Sequence, residues 1–144
     1  MKVERSTVIA ASPEEIYDVV TDPKRLEDWV TIHEALVEAP AGELRKGSKL
    51  TQQLKLAGRC FTVKWKVVQS DRPRKVVWKG KGPMRSQASV TYELEPNGAG
   101  TCFSYVNEYH LPGGPLGKLA GPVVDRVTKG ELEASLEKLR RLVE

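Results

Sequence analysis

Residues 110–122 read HLPGGPLGKLAGP: paired glycines at 113–114, another at 117 and a lysine at 118, just ahead of a long helical pattern. The stretch invites comparison with a phosphate-binding loop. Such a loop follows G-x-x-x-x-G-K-[ST], so that backbone N–H groups cup the phosphate and the hydroxyl holds magnesium. Here Gly113 stands too close to Gly117, Pro112 occupies the leading glycine's position, and Leu119 follows Lys118 where a hydroxyl is needed. No parallel-strand pattern precedes it either. The nucleotide reading fails. Gly and Pro have another use here: Gly113, Gly114 and Pro115 let the chain turn sharply and lay a helix across a sheet, and Gly117 and Gly121 reduce bulk where that helix starts. Small residues there leave space between helix and sheet, which is the expected pocket.

Working outward, Leu116, Leu119, Ala120, Val123, Val127, Leu132, Leu136, Leu139 and Val143 recur at spacings of three and four, with slips at Gly121–Pro122 and Gly130. The ending GELEASLEKLRRLVE places acids early and arginines late, as the helix dipole prefers, and predicts an amphipathic helix. Upstream, from Thr31 to His110, the period is two. KLTQQLKLA sets Leu50, Gln52, Leu54 and Leu56 against Lys49, Thr51, Gln53 and Lys55. CFTVKWKV sets Phe61, Val63, Trp65 and Val67 against Thr62, Lys64 and Lys66. TIHEALVEA sets His33, Ala35 and Val37 against Glu34 and Glu38, and KVVWKGK sets Val76 and Trp78 against Lys75, Lys79 and Lys81. MRSQASVTYELE sets Met84, Ala88, Val90, Tyr92 and Leu94 on one face. Such alternation predicts antiparallel strands with one buried and one wet face. The last strand, TCFSYVNEYHL, leaves its facing open between Phe103, Tyr105, Asn107 and Tyr109 on one side and Cys102, Ser104, Val106, Glu108 and His110 on the other. Short connectors such as SDRPR and EPNGAG carry turn residues.

At the N-terminus VERSTVIAA predicts a strand over Lys2–Ala10. In SPEEIYDVVTDPKRLEDWV, Ser12 is an N-cap, Pro13 fits the first helical position and Glu15 completes a capping box. A second short helix follows TDP and runs through Asp28. The expectation is one α+β domain over 1–144: a curved antiparallel sheet of about seven strands wrapped around a long C-terminal helix, with two short helices between strands 1 and 2.

That order, together with the segments VERSTVIAASPEEIYDVVTDPKRLEDW, YVNEYHLPGGPLGKLAGPVVDR and LEASLEKLRRLVE, resembles the polyketide cyclase/dehydrase-like branch of the START/Bet v 1-like (SRPBCC) superfamily and its helix-grip fold. The resemblance covers essentially the whole chain. It implies an apolar ligand, such as a lipid, a quinone or a polyketide-like aromatic, held between sheet and helix. Relatives reuse that cavity for transport, quinone binding, aromatic cyclisation or storage.

By strand facing, Trp29, Trp65, Trp78, Tyr92, Tyr105 and Tyr109 are expected to line this cavity, since aromatics bind flat apolar ligands well. Leu54, Phe61, Val63 and Met84 would join them from the sheet, and Leu116, Ala120 and Val123 from the helix start. His33, Gln52 and Asn107 are the polar candidates, with Ser86 nearby on the same pattern. His33 is the acid/base candidate. No nucleophile with a partnered base emerges. The leading expectation is therefore a carrier or sequestering protein for a hydrophobic small molecule. A cyclase or dehydratase in the same cavity is the alternative, with His33 as base and Tyr105 or Tyr109 orienting the substrate.

Charge is unevenly spread. Residues 1–45 hold 5 Lys/Arg against 10 Asp/Glu, residues 46–93 hold 12 against 2, and the whole chain is +4. An interaction module working through this basic face, on an anionic membrane or a ribosomal partner, is a further alternative. Nucleic acid is not expected, because the aromatics interleaved with the lysines point to the other face and cannot stack on bases. Transient contact with an anionic membrane stays open, as does a monomeric or homodimeric state. Cys60 and Cys102 are read as reduced thiols, without a metal or a cofactor. No apolar run approaches a membrane span and the first residues lack a signal-peptide core, so a cytoplasmic location is expected.

Overall fold

The computed structural model describes residues 2–56, 58–110 and 115–144, with the side chains of 115–124 excepted. The chain runs β1 (Lys2–Ile9), α1 (Pro13–Val20), a 3-10 turn (Pro23–Arg25), α2 (Leu26–Trp29), β2 (His33–Glu38), β3 (Lys49–Leu56), β4 (Arg59–Asp71) and β5 (Lys75–Lys81). A second 3-10 turn (Pro83–Arg85), β6 (Gln87–Asn97), β7 (Gly100–His110) and α3 (Pro115–Val143) complete it. Local chemistry sets the helix starts. Ser12 Oγ accepts the Glu15 N–H at 3.2 Å with Pro13 opening α1, and Asp22 Oδ1 accepts the Lys24 N–H at 3.1 Å to start the following turn.

The strands form a curved seven-stranded antiparallel sheet in the order β1-β7-β6-β5-β4-β3-β2. From β2 to β7 it is a meander, and β1 then pairs beside β7. This is the helix-grip arrangement. The buried face carries Leu50, Leu54, Val63, Trp65, Trp78 and Tyr92, among others, as the alternation predicts. On β7, Phe103, Tyr105 and Tyr109 are buried, so the facing left open by the sequence resolves to the Asn107 side.

Helix α3, 29 residues and roughly 43 Å long, lies across the sheet's apolar face against β1, β3 and α2. Leu132, Leu136 and Leu139, at helical spacing, are its buried stripe. Polar ties fix its position. Thr31 donates its N–H to Ser135 Oγ at 3.0 Å and its hydroxyl to the Glu131 carboxylate. Arg5 Nε reaches Glu133 at 2.9 Å, and the Ala10 N–H reaches Glu144 at 3.0 Å.

Edge strand β2 departs from simple alternation. His33 pairs with Leu54 but Ala35 with Gln53, and Leu36 pairs with Gln52 but Glu38 with Thr51. Bulges at those shifts turn Leu36 inward in place of Ala35 and leave Val37 55% exposed, correcting the expected inner face of His33, Ala35 and Val37. Both cysteines are free thiols, and among the described residues no helix is long and apolar enough to cross a membrane.

Candidate functional site

The register of the sheet explains where the interior is full and where it is hollow. One inward row joins Val76, Tyr92 and Tyr105 across β5, β6 and β7, and these are all buried. The next joins Val67, Trp78, Val90 and Asn107. The row after that runs Leu50, Trp65, Gly80, Ala88, Tyr109, with its two smallest side chains in the middle. Beyond it the chain offers Gly82 and Ser86. Bulk falls away from one end of the sheet to the other.

Aromatic contacts close the full end. Trp65, Trp78, Tyr92 and Tyr105 form an edge-on ladder across β4–β7, with ring centroids 6.0, 5.7 and 5.1 Å apart in sequence. Gly80 makes room for it. A Cβ there would stand 2.6 Å from the Trp65 ring and 2.7 Å from Val63, so only glycine lets the indole lie across this point of the strand.

What remains is a cavity of about 650 Å³ between the sheet and α3. Leu26, Val30 and Ile32 close it on the α2 side, and Thr128, Glu131, Leu132 and Ser135 close it from α3. Among its described lining residues Arg59 and Gln87 are the exposed ones, with half-buried Gly82 and Ser86 beside them, so its mouth lies at this end.

Of the residues expected to line a cavity, Gln52, Leu54, Phe61, Val63, Trp65 and Trp78 do so, as do Tyr92, Tyr105, Asn107 and Tyr109. Others do not. Trp29 is fully buried but lies under the aromatic ladder, packed on Tyr92, Phe103 and Tyr105 at centroid distances of 5.5, 6.4 and 5.8 Å. Met84 is 80% exposed, because the 3-10 turn interrupts the alternation before β6 begins at Gln87. Leu116, Ala120 and Val123 lie outside the described side chains, as do the glycines at 113, 114, 117 and 121. Sequence reasoning placed the α3 wall at the helix start and did not name Thr128, Glu131, Leu132 or Ser135, although Thr128, Leu132 and Ser135 share one helical stripe in the sequence.

His33 is also absent from the lining, and lies one hydrogen bond behind it. Trp65 Nε1 donates to Gln52 Oε1 at 3.0 Å, and Gln52 Nε2 meets His33 Nδ1 at 2.8 Å. An indole N–H only donates, so the Gln52 oxygen must face Trp65 and its amide must donate to His33. Nδ1 is thus an acceptor and the imidazole is neutral, with its proton on Nε2. Burial pushes the His33 pKa below its ordinary 6.5, against the pull of Glu27 and Glu34. The sign follows: the unfolded chain takes up this proton more readily, so stability is full above 6.5 and falls as pH drops from 6.5 towards the lowered folded value. Chemical denaturation between those limits is expected to show this slope, and His33→Gln to flatten it. An unchanged slope in that variant would mean His33 is not held neutral.

Hydroxyls complete the interior. Burial, with the neighbouring Tyr105, holds the Tyr92 phenol well above its usual range, and burial pushes Tyr105 up to about 12. Both are protonated at neutral pH and serve as hydrogen-bonding groups. The Tyr109 hydroxyl meets Thr128 of α3. Asn107 lines the cavity.

A model of the family described as polyketide cyclase/dehydrase and lipid transport matches residues 1–144. The chain belongs to this family. Similar chains include the uncharacterized protein Rv1546 of Mycobacterium tuberculosis, 29% identical over 97% of this chain and 96% of that one. The toxin Rv0910 of the same organism is 24% identical over 94% of this chain and 93% of its own length. Among solved structures, TTHA0849 from Thermus thermophilus superimposes with a TM-score of 0.84 at 21% identity, covering 99% of this chain and 97% of that one. That likeness speaks to the fold alone.

Proposed function

We propose that the chain binds a hydrophobic small molecule, such as a lipid, a quinone or a polyketide-like aromatic, between the sheet and α3, and acts as its carrier or sequestering protein. The observation that carries this reading is the cavity itself. Its volume of about 650 Å³ falls within the range of small-molecule sites, roughly 300–1,000 Å³. Its walls are mainly aromatic and aliphatic, with a smaller set of polar residues that includes Gln52, Asn107, Thr128 and Ser135.

A cyclase or dehydratase needs a proton acceptor facing the substrate. Among the described lining residues, Tyr92 and Tyr105 hold their protons at neutral pH, and the Glu131 carboxylate is engaged by Thr31. His33 stands outside the wall with Nδ1 occupied. These arrangements favour storage over turnover.

Titration of the purified protein with a nitrobenzoxadiazole-labelled fatty acid tests the reading. A saturable emission rise is expected, one probe per chain, with Kd on the order of micromolar, competed by quinones or flat aromatics. His33→Ala should keep that affinity within about twofold, as a carrier has no turnover to lose. No saturable binding of the probe, and no competitor-sensitive signal, would end the proposal.

A further inference from the structure

The turn beside the cavity mouth has an arrangement that ligand binding does not use. Gly82 and Ser86 line the mouth, while Met84 between them is 80% exposed, more than Val8 or Val37, the other large exposed hydrophobic residues. Met84 is not on a slack loop. Gly82 N–H bonds to the Ser86 carbonyl at 2.9 Å, and Ser86 returns its N–H and hydroxyl to the Pro83 carbonyl at 3.1 and 2.7 Å. Within this tight turn Met84 and Arg85 have φ of 56° and 63°, the positive values among described non-glycine residues. Left-handed backbone is uncommon for such residues. Here it holds a flexible apolar side chain out into solvent.

Cations surround this tip. Lys81 and Arg85 flank it in sequence, and Lys64 lies directly across the strand pair from Lys81. A second row, Lys49, Lys66 and Lys79, crosses three strands on the outer face. Like charges directly opposite one another in a sheet repel. Among the described residues Lys75 and Lys129 are the lysines with ion-pair partners. No acidic residue occurs from 46 to 70 or from 72 to 92. The fold therefore keeps a repulsive basic lattice beside an exposed methionine at the opening of an apolar cavity.

We propose that the Gly82–Ser86 turn is a docking tip for the surface of an anionic lipid bilayer. Met84 dips into the boundary between headgroups and acyl chains, and Lys64, Lys81 and Arg85 meet the headgroup phosphates. The cavity mouth then faces the membrane. Charge complementarity selects an anionic surface, and the apolar tip selects a bilayer over nucleic acid, since Trp65 and Trp78 point inward and leave no ring here to stack on bases. The inference goes beyond ligand binding, because docking is measured whether or not the cavity is occupied.

Sedimentation with large unilamellar vesicles tests it. The full chain is expected to bind vesicles of phosphatidylcholine mixed with phosphatidylserine, to bind pure phosphatidylcholine weakly, and to release as salt rises. Met84→Asn suits the left-handed backbone and keeps the turn, yet should weaken binding roughly tenfold. Reversing both Lys81 and Arg85 to Glu should weaken it by on the order of a hundredfold or more. Met84→Trp should tighten it and give a blue-shifted emission on mixing with anionic vesicles. Thermal melts of each variant check the fold. The proposal is overturned if neither vesicle type binds, or if Met84→Asn binds as the parent does. It is equally overturned if reversal of Lys66 and Lys79 alone removes binding while the tip variants have no effect. Tighter binding to a single-stranded RNA at the same salt, indifferent to Met84, would assign the basic face to nucleic acid instead.

Discussion

Ala88→Trp is expected to abolish uptake of an apolar probe while leaving the fold standing. Ala88 lies between Gly80 and Tyr109 in the inward row where bulk falls away, and it lines the cavity. An indole built there takes up part of the cavity that Thr128 and Leu132 of α3 line with it, next to Ser86 and Gln87 at the mouth. It corks the space rather than crowding a packed core, so the usual overpacking cost of about 1–3 kcal/mol is largely avoided. Probe affinity should fall by on the order of a hundredfold or more, with the melting temperature close to the parent's. Ser89→Trp is the matched control. It lies one residue along on the opposite face, paired with Glu108, and should leave uptake unchanged. Unaltered uptake in Ala88→Trp would mean the ligand does not sit between sheet and helix.

The inner face of the central strands was legible because β3, β4 as far as Val67 and the body of β6 keep two-residue alternation over a sheet with one wet side. It failed where alternation breaks physically. At β2 two bulges exchange Leu36 for Ala35 and Val37, and at Met84 a turn intervenes before the strand begins. Facing on β7 needed the fold, since both of its faces carry apolar and polar residues. The hollow itself was not readable from any one segment. It opens at Ala88, opposite the Gly80 over which the Trp65 indole lies, and continues to Gly82 and Ser86, a juxtaposition made by strand pairing rather than by any one segment. His33 stands out in the sequence as a candidate, but its tautomer depends on Gln52 and Trp65, which approach only through strand pairing.

Trp29 separates packing from binding, and substitution there should act on stability. Trp29→Ala is expected to cost about 3–5 kcal/mol, much of the roughly 5–15 kcal/mol that holds a typical domain together. Its ring is fully buried and touches Tyr92, Phe103 and Tyr105, so truncation opens a void beneath three aromatic neighbours at once. Trp29→Phe should be far milder. The Trp29 Nε1 is buried without a hydrogen-bond partner among the described residues, and the phenyl ring removes that stranded donor while keeping most of the apolar contact. A net loss of about 1–2 kcal/mol is expected from the smaller volume set against the relieved N–H. Urea denaturation gives both values. Because Trp29 stands behind the cavity wall, Trp29→Phe should hold its probe affinity near the parent's, whereas Trp78→Phe, in the wall itself, should lower it. A Trp29→Phe protein that keeps its stability but loses the probe would put this ring in contact with the ligand, and the wall would have to be redrawn to include Trp29 beside Leu26.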